Sequence, residues 1–376
     1  MSLEESAAQS NSLYFLPEFT FSNTTFSPTS GTELELADGL IWIDDKAVVF
    51  QMKERAASEK SLSDQEKWFE NKVVKKATKQ IKDTLKYLDT NQTVIAKNRR
   101  GQSIPLTRSS LTELHKIVLY SCEGPFSYRP CHVSSTAGFI HLFNAKDYDG
   151  MLRTLFTPGE LFEYLKWREQ QLTLRIQAQE LPEQALLGHY LLGDFETEPS
   201  LDDIKYVFSI QQNIEDWDIS GILHRFLERS YDGIGDTNYH RILAEIAKLD
   251  RSGLRLFKER FKLSMDWAKK NSSVLPYRFS IPRTDCGFVF IPLEKQFRGD
   301  RKQALVNLTH ANKYDQKVSR CIGLTFLADD DGWFTVDWCS LDYPWEFNAE
   351  MDQMLKNSFP FRTTKQTSTS RYTFLT

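Results

Sequence analysis

The stretch ELADGLIWIDDKAVVFQMKER, residues 35–55, decides the fold class of the first half of the chain. It contains two apolar runs that favour β-strands, joined by the polar residues 44–46, which are typical of a hairpin turn. Polar side chains nevertheless stand at the far ends of both strands. Asp38 comes early in the first strand, and Gln51 and Lys53 come late in the second. A strand buried in a sheet does not need these residue types, which indicates a chemical role for them.

Alternation along a strand places Gln51 and Lys53 on one face. A turn centred on residues 44–46 predicts that Asp38 lies opposite about position 52, between those two side chains. A carboxylate and an amide oxygen suit Mg²⁺, and Glu35 is a further candidate metal ligand. A bound divalent cation would activate water, and a lysine would stabilise the charge that develops on a phosphate. The pattern therefore predicts metal-assisted phosphodiester hydrolysis.

The elements around this hairpin predict one α/β domain over residues 1–180. Residues up to about Ser30 show little periodicity, which favours a loosely structured or packing arm. The remaining pattern predicts strands at 33–43 and 47–55, a helix at 61–88, strands at 115–124 and 137–145, and a helix at 157–172. The order is thus strand, strand, helix, strand, strand, helix.

These residues carry a family resemblance. Asp38, twelve intervening residues and then Gln51-x-Lys53 at the end of an apolar strand resemble the PD-(D/E)XK nuclease superfamily. In particular, they resemble the variant with Gln in place of the acidic residue, as in Mrr-like restriction endonuclease domains. The resemblance implies an αβββαβ core, dependence on Mg²⁺ or Mn²⁺, and DNA as substrate. It also implies that Asp38 binds the metal, Gln51 is the variable ligand and Lys53 is the catalytic lysine.

The charge distribution favours an anionic partner near this domain. The net charge is -4, yet residues 53–108 contain 14 Lys or Arg against 7 Asp or Glu. Within the predicted helix four lysines recur at intervals of three and four residues, which places them on one face: Lys72, Lys75, Lys76 and Lys79. They are candidates for binding the phosphates of DNA. A solvated helix face is the alternative interpretation.

The second half of the chain shows no catalytic motif. Residues 181–272 have mainly helical periodicity, and residues 273–376 alternate strands with helices, which predicts a C-terminal α+β domain of unknown role. The strands are predicted at 286–293, 320–328 and 332–341, and the helices at 300–314 and 347–358. This half is a candidate surface for a protein partner or for self-association.

Several classes of protein are disfavoured. No apolar run approaches the roughly 20 residues that span a bilayer, and the N-terminus lacks the order of a secretory signal, so a cytoplasmic protein without a membrane partner is expected. The five scattered cysteines indicate free thiols rather than a disulfide framework. The seven histidines show no spacing that indicates zinc or a paired nucleophile, and no phosphate-binding loop of the GxxxxGK type is present.

The leading hypothesis is a Mg²⁺-dependent endonuclease that hydrolyses DNA, in bacterial restriction or anti-phage defence. The second is a catalytically inactive subunit with a nuclease fold that binds DNA or assembles with a partner. An RNA-directed nuclease and a purely structural hairpin with polar ends are further alternatives.

Overall fold

The computed structural model describes residues 1–22, 25–26, 34–35, 37–55, 61–122, 129–194, 196–230, 237–363 and 370–375. They form two compact units. The first consists of Met1–Gln211 with two short later segments, and the second consists of Gln212–Tyr231 and Asn238–Arg371.

The first unit is built from short strands and amphipathic helices. Its strands are β1 (Thr20–Ser22), β2 (Thr25–Phe26), β3 (Leu34–Glu35), β4 (Gly39–Ile43), β5 (Lys46–Glu54), β6 (Val94–Lys97), β7 (Ser103–Leu106), β8 (Glu113–Ser121), β9 (Cys131–Ser134) and β10 (Gly138–Asn144). Its α-helices are α1 (Leu3–Phe15), α2 (Leu62–Trp68), α3 (Ala77–Thr90), α4 (Ala145–Leu155), α5 (Pro158–Leu174), α6 (Glu183–Leu192) and α7 (Ile204–Ser209). A π-helical segment, Phe69–Lys76, joins α2 to α3.

A six-stranded mixed sheet forms the centre of this unit, with the strand order β1-β4-β5-β8-β10-β9. Strands β1, β4 and β5 are antiparallel neighbours, whereas β8 is parallel to both β5 and β10. A parallel neighbour needs a crossover connection, and here α2, the π-helical segment and α3 lie between β5 and β8 in the chain. The predicted α/β class is confirmed.

Helices cover both faces of the sheet. The π-helical segment and α3 pack on one face, where Phe69 and Val73 join Val118 and Ile140 in an apolar cluster. Helices α4 and α5 pack on the other face: the Tyr148 ring lies 5.8 Å from the Phe50 ring, and Phe162 lies 6.1 Å from the His115 ring, measured between centroids. Side chains of alternate residues on β5 and β8 therefore enter two separate environments.

Two predictions about the N-terminal part are wrong. Residues 3–15 form the regular helix α1, so the loosely structured alternative is wrong, and a capping box between Ser2 and Glu5 starts the helix. Its buried side chains include the small residues Ala7 and Ala8, so the apolar periodicity is weak although the cap signal is present in the sequence. The predicted strand 33–43 is also interrupted, because β3 pairs with β2 in a separate two-stranded sheet and β4 begins only at Gly39.

The predicted helix over 61–88 exists but is not a continuous α-helix. Its middle is π-helical, with i→i+5 hydrogen bonds, which are rare and often occur near functional sites. The wider turns keep Phe69, Val73 and Val74 buried together against the sheet. Periodicity alone cannot distinguish such a segment from an α-helix, because apolar residues recur at intervals of three to four in both.

The second unit is a four-stranded sheet with helices on both faces. Its strands, in the order β11-β12-β13-β14, are β11 (Tyr277–Ile281), β12 (Cys286–Leu293), β13 (Arg320–Ala328) and β14 (Phe334–Asp342). Its α-helices are α8 (Ile214–Trp217), α9 (Ser220–Ser230), α10 (His240–Ala247), α11 (Arg251–Lys270), α12 (Arg301–Gln316) and α13 (Ala349–Asn357). Helix α12 connects the parallel strands β12 and β13. The predicted strands at 286–293 and 320–328 are confirmed, and β11 is a further strand that was not predicted.

The predicted helical region 181–272 contributes to both units. Helices α6 and α7 belong to the first unit, while α11 packs on the sheet of the second, where the Phe261 ring lies 4.8 Å from the Phe326 ring. All five cysteines are free. Among the described residues, the helices lack the combination of length and apolarity that crossing a membrane requires.

Replacing Gly188 with Ala is expected to destabilise the first unit. A Cβ atom at this position of α6 would lie 1.9 Å from the backbone oxygen of Asp203, so the backbone must shift. Overpacking of this kind costs about 1–3 kcal/mol or more. Urea denaturation should show the loss.

The matched control is Gly150→Ala within α4, where an added Cβ meets nothing within 4 Å. Removing a glycine from a helix interior should raise the unfolding free energy by about 0.5–1 kcal/mol. Equal stability of the two variants would contradict the steric argument.

Candidate functional site

The hairpin that carries the predicted site has a shorter turn than predicted. Ile43 pairs with Lys46, so the turn contains only Asp44 and Asp45. Asp44 has a φ of 55°, in the left-handed region that two-residue hairpin turns require. The predicted three-residue turn is wrong because Lys46 already belongs to β5.

This turn shifts the register by one residue. Gly39 pairs with Phe50, and continuing the pairing places Asp38 opposite Gln51 rather than position 52. A one-residue shift moves a side chain to the other face of a sheet. Asp38 therefore lies on the same face as Gln51 and Lys53, the face that the π-helical segment and α3 cover. The three side chains come together.

The Lys53 ammonium is the centre of this group. Its Nζ lies 3.3 Å from Asp38 Oδ2, 3.5 Å from Gln51 Oε1 and 2.7 Å from the backbone oxygen of Met52. The Met52 N–H also donates to Asp38 Oδ2, at 2.5 Å, which fixes the carboxylate. Asp38 and Gln51 are only 7% and 2% exposed, and the Lys53 side chain is 13% exposed. Three oxygens thus converge on one cation in a largely desolvated position.

The donor set fits a hard divalent cation. A carboxylate, an amide oxygen and a backbone oxygen are the ligand types that Mg²⁺ accepts, with waters completing its shell. Three such atoms, from Asp38, Gln51 and Met52, lie within 3.5 Å of Lys53 Nζ. Asp38, Gln51 and the Met52 oxygen are therefore the groups that would hold Mg²⁺ or Mn²⁺.

The predicted contribution of Glu35 stays a prediction. Its backbone belongs to β3 and pairs with Thr25, but its side chain lies outside the described part of the structure.

The four predicted phosphate-binding lysines lie on the solvent side of the crossover. The intervening Val73, Val74 and Ala77 are buried. The four lysine side chains are exposed: Lys72, Lys75, Lys76 and Lys79. The first three belong to the π-helical segment and Lys79 to α3. The helix that carries them packs on the sheet face that presents Gln51 and Lys53.

The comparisons with known proteins add no family. No family model, curated protein or solved structure matches the chain.

The opposite face of the sheet holds a polar cluster that we did not predict from the sequence. His115 on β8, His141 on β10 and Glu169 on α5 each offer one ligand atom, and these atoms lie within 4.8 Å of one another. Burial first, and then the neighbouring Arg168 guanidinium, hold the pKa of His141 well below its usual range, so the ring is neutral at pH 7. The available signal was a histidine inside each of two apolar strands, and sequence spacing does not reveal that these strands are neighbours.

Proposed function

We propose that the first unit hydrolyses phosphodiester bonds in DNA with the aid of Mg²⁺ or Mn²⁺, through Asp38, Gln51 and Lys53. The observation that carries the proposal is the convergence of Asp38 Oδ2, Gln51 Oε1 and the Met52 oxygen on the Lys53 ammonium. A lysine near the end of a strand that takes no part in catalysis could extend its side chain into water with little loss of stability. Here it is held beside two buried polar side chains.

Each residue has a distinct task in this proposal. Asp38 and Gln51 would hold the cation with the help of the Met52 oxygen. The cation would lower the pKa of a bound water and offset the charge on the phosphate. Lys53, released from these oxygens, would donate hydrogen bonds to the attacking water and to the phosphate oxygens as negative charge develops there. Burial strengthens these interactions because little water competes with them.

The chain order of the elements supports the nuclease resemblance. Helix α1 precedes the antiparallel strands β1, β4 and β5, and a helical crossover then leads to β8, which is parallel to β5. This order agrees with the αβββαβ core that the resemblance implies. The position of Asp38 before β4 and of Gln51 and Lys53 at the end of β5 also agrees with it.

DNA as the substrate is supported by the exposed lysines on the crossover helix. Cations spaced along one surface bind phosphates without regard to sequence, and release of counterions makes such binding dependent on salt. A role in restriction or anti-phage defence follows only from the resemblance.

A non-catalytic subunit is the second candidate, and the Asp38–Lys53 ion pair favours it. Lys53 already neutralises Asp38, and Gln51 adds no charge, so the group is stable without a metal. A chain that has lost catalysis could retain the fold and the lysines for binding DNA.

A crystal soaked in Mn²⁺ tests the proposed metal site. We expect an anomalous peak bonded to Asp38 and Gln51, with Lys53 Nζ displaced from both oxygens. In a crystal of Asp38→Asn the peak should disappear. An undisplaced Lys53 in wild-type crystals with no Mn²⁺ beside it would refute the catalytic proposal and leave the binding role.

A further inference from the structure

Two buried imidazole nitrogens on the α5 face of the sheet have no hydrogen-bond partner in the described structure. They are Nδ1 of His115 and Nε2 of His141. The two residues are 4% and 0% exposed, so bulk water does not satisfy them. A buried polar atom without a partner is costly, and such atoms in native proteins indicate a role or an additional ligand. The half-buried Glu169 offers a carboxylate oxygen within 4.8 Å of a ring nitrogen of each histidine.

The surrounding contacts orient the His115 ring for a ligand. Its Nε2 lies 2.7 Å from Glu113 Oε1, and Glu113 is also paired with Lys46. In the tautomer that donates from Nε2 to this carboxylate, the lone pair of Nδ1 is available to a ligand. Carboxylates hold metal-binding histidines in this way.

We propose that His115, His141 and Glu169 bind a first-row transition metal ion of the Zn²⁺ class, at a site separate from Asp38. Two imidazoles and a carboxylate suit Zn²⁺ or its neighbours and not Mg²⁺, which prefers oxygen ligands. Three protein ligands also leave a position open to water, as in catalytic zinc sites. The site lies on the opposite face of the sheet from Gln51 and Lys53, because His115 pairs with Val48 and alternate residues of β5 face opposite ways.

Binding requires a small closure of the three ligands. Zn²⁺ bonds to nitrogen and oxygen are about 2.1 Å long, so tetrahedral ligand atoms lie about 3.4 Å apart, somewhat less than the present limit of 4.8 Å. Glu169 is the ligand that can move most, because it is half-exposed on α5. Its carboxylate must also turn from Lys116, whose charge it attracts.

Arg168 sets a further requirement at His141. Its Nη1 donates to His141 Nδ1 at 3.1 Å, and a neutral ring that accepts there carries its hydrogen on Nε2. Metal binding therefore moves this hydrogen from Nε2 to Nδ1, and Nη1 withdraws. Arg168 keeps its bonds to Glu183 and to the Pro130 oxygen. No proton is gained or lost by the ring.

Titration of the metal-free, full-length protein with Zn²⁺ in excess Mg²⁺ tests the site by calorimetry. We expect one Zn²⁺ per chain in the wild-type protein and in Asp38→Asn. Glu169→Ala should weaken binding at least about tenfold, since even outer-shell changes at metal sites cost ten- to a hundredfold. The matched control is Glu163→Ala on the same helix, which removes a carboxylate that accepts from Tyr190 and should leave Zn²⁺ affinity unchanged. Circular dichroism checks that both variants fold.

A Zn²⁺-soaked crystal supplies the second measurement. An anomalous peak between the two imidazoles and Glu169 supports the proposal. A water molecule in that place, or equal Zn²⁺ affinity in Glu169→Ala and the wild type, overturns it. Loss of Zn²⁺ binding in Asp38→Asn alone would assign the ion to the other face and also overturn it. None of these outcomes depends on whether the protein cleaves DNA.

Discussion

Replacing Lys53 with Met is expected to lower the rate of Mg²⁺-dependent DNA cleavage at least about a hundredfold. Removing one preorganised donor to developing negative charge costs about 10²–10³ in rate at comparable sites. Methionine keeps most of the aliphatic stem that fills this half-buried position. The loss of cleavage rate can therefore be attributed to removal of the ammonium group. The measurement is nicking of supercoiled plasmid with Mg²⁺ or Mn²⁺, before and after chelation.

The control for this prediction is Lys97→Met. Lys97 is exposed on β6, within the same basic part of the chain, and should be nearly neutral for cleavage. Binding of DNA should persist in Lys53→Met and in Asp38→Asn, which separates loss of chemistry from loss of substrate. If the wild-type protein binds DNA but never nicks it with either metal, the non-catalytic subunit becomes the better interpretation. If it neither binds nor cuts, both candidate functions fail.

Replacing Arg168 with Met is expected to destabilise the first unit by about 3–5 kcal/mol, the usual cost of breaking a buried ion pair. Arg168 is fully buried, and its Nε and Nη2 bond Glu183 at 2.9 and 2.7 Å. The guanidinium also lies 4.2 Å from the centre of the Phe143 ring. Without it, the Glu183 carboxylate remains buried with no countercharge. Urea denaturation followed by circular dichroism gives the free energy of unfolding.

Two further variants isolate the cause. Arg153→Met removes an arginine that is 78% exposed and pairs with Asp149 on α4, and it should cost less than about 1 kcal/mol. The double variant Arg168→Met with Glu183→Gln should recover part of the loss, because no unpaired charge is then buried and the amide still accepts from the Tyr164 hydroxyl. A double variant no more stable than Arg168→Met would show that packing, rather than charge, causes the effect.

Much of the fold could be predicted because burial imposes a period on the sequence. The runs that form β5, β12 and β13 are continuous and apolar, and their ends are marked by turn residues. The π-helical segment that begins at Phe69 has no comparable signal in the sequence. Helix α1 was missed because alanines supply part of its buried face, and its capping residues Ser2 and Glu5 were the better signal.

The two candidate sites also differ in how far they could be predicted from the sequence. The sequence could place Asp38, Gln51 and Lys53 at the same end of one hairpin, because the geometry of a hairpin is local, but their shared face depends on the two-residue turn, which was predicted one residue too long. His115 and His141 could not be placed together in this way, because β8 and β10 are parallel and no hairpin joins them. Their partner Glu169 comes from a helix that packs over the sheet. Contacts of this kind depend on tertiary structure, which local periodicity does not encode.

The two-residue turn at Asp44 and Asp45 determines which side chains meet at the other end of the hairpin. Since the side chains of a strand alternate, a turn length that shifted the strand register by one residue would turn Asp38 away from Lys53 while leaving every side chain of the group unchanged. A homologous chain could therefore keep the same aspartate, glutamine and lysine and still lack the cation site. Conservation of turn length is then as informative about activity as conservation of the three residues themselves.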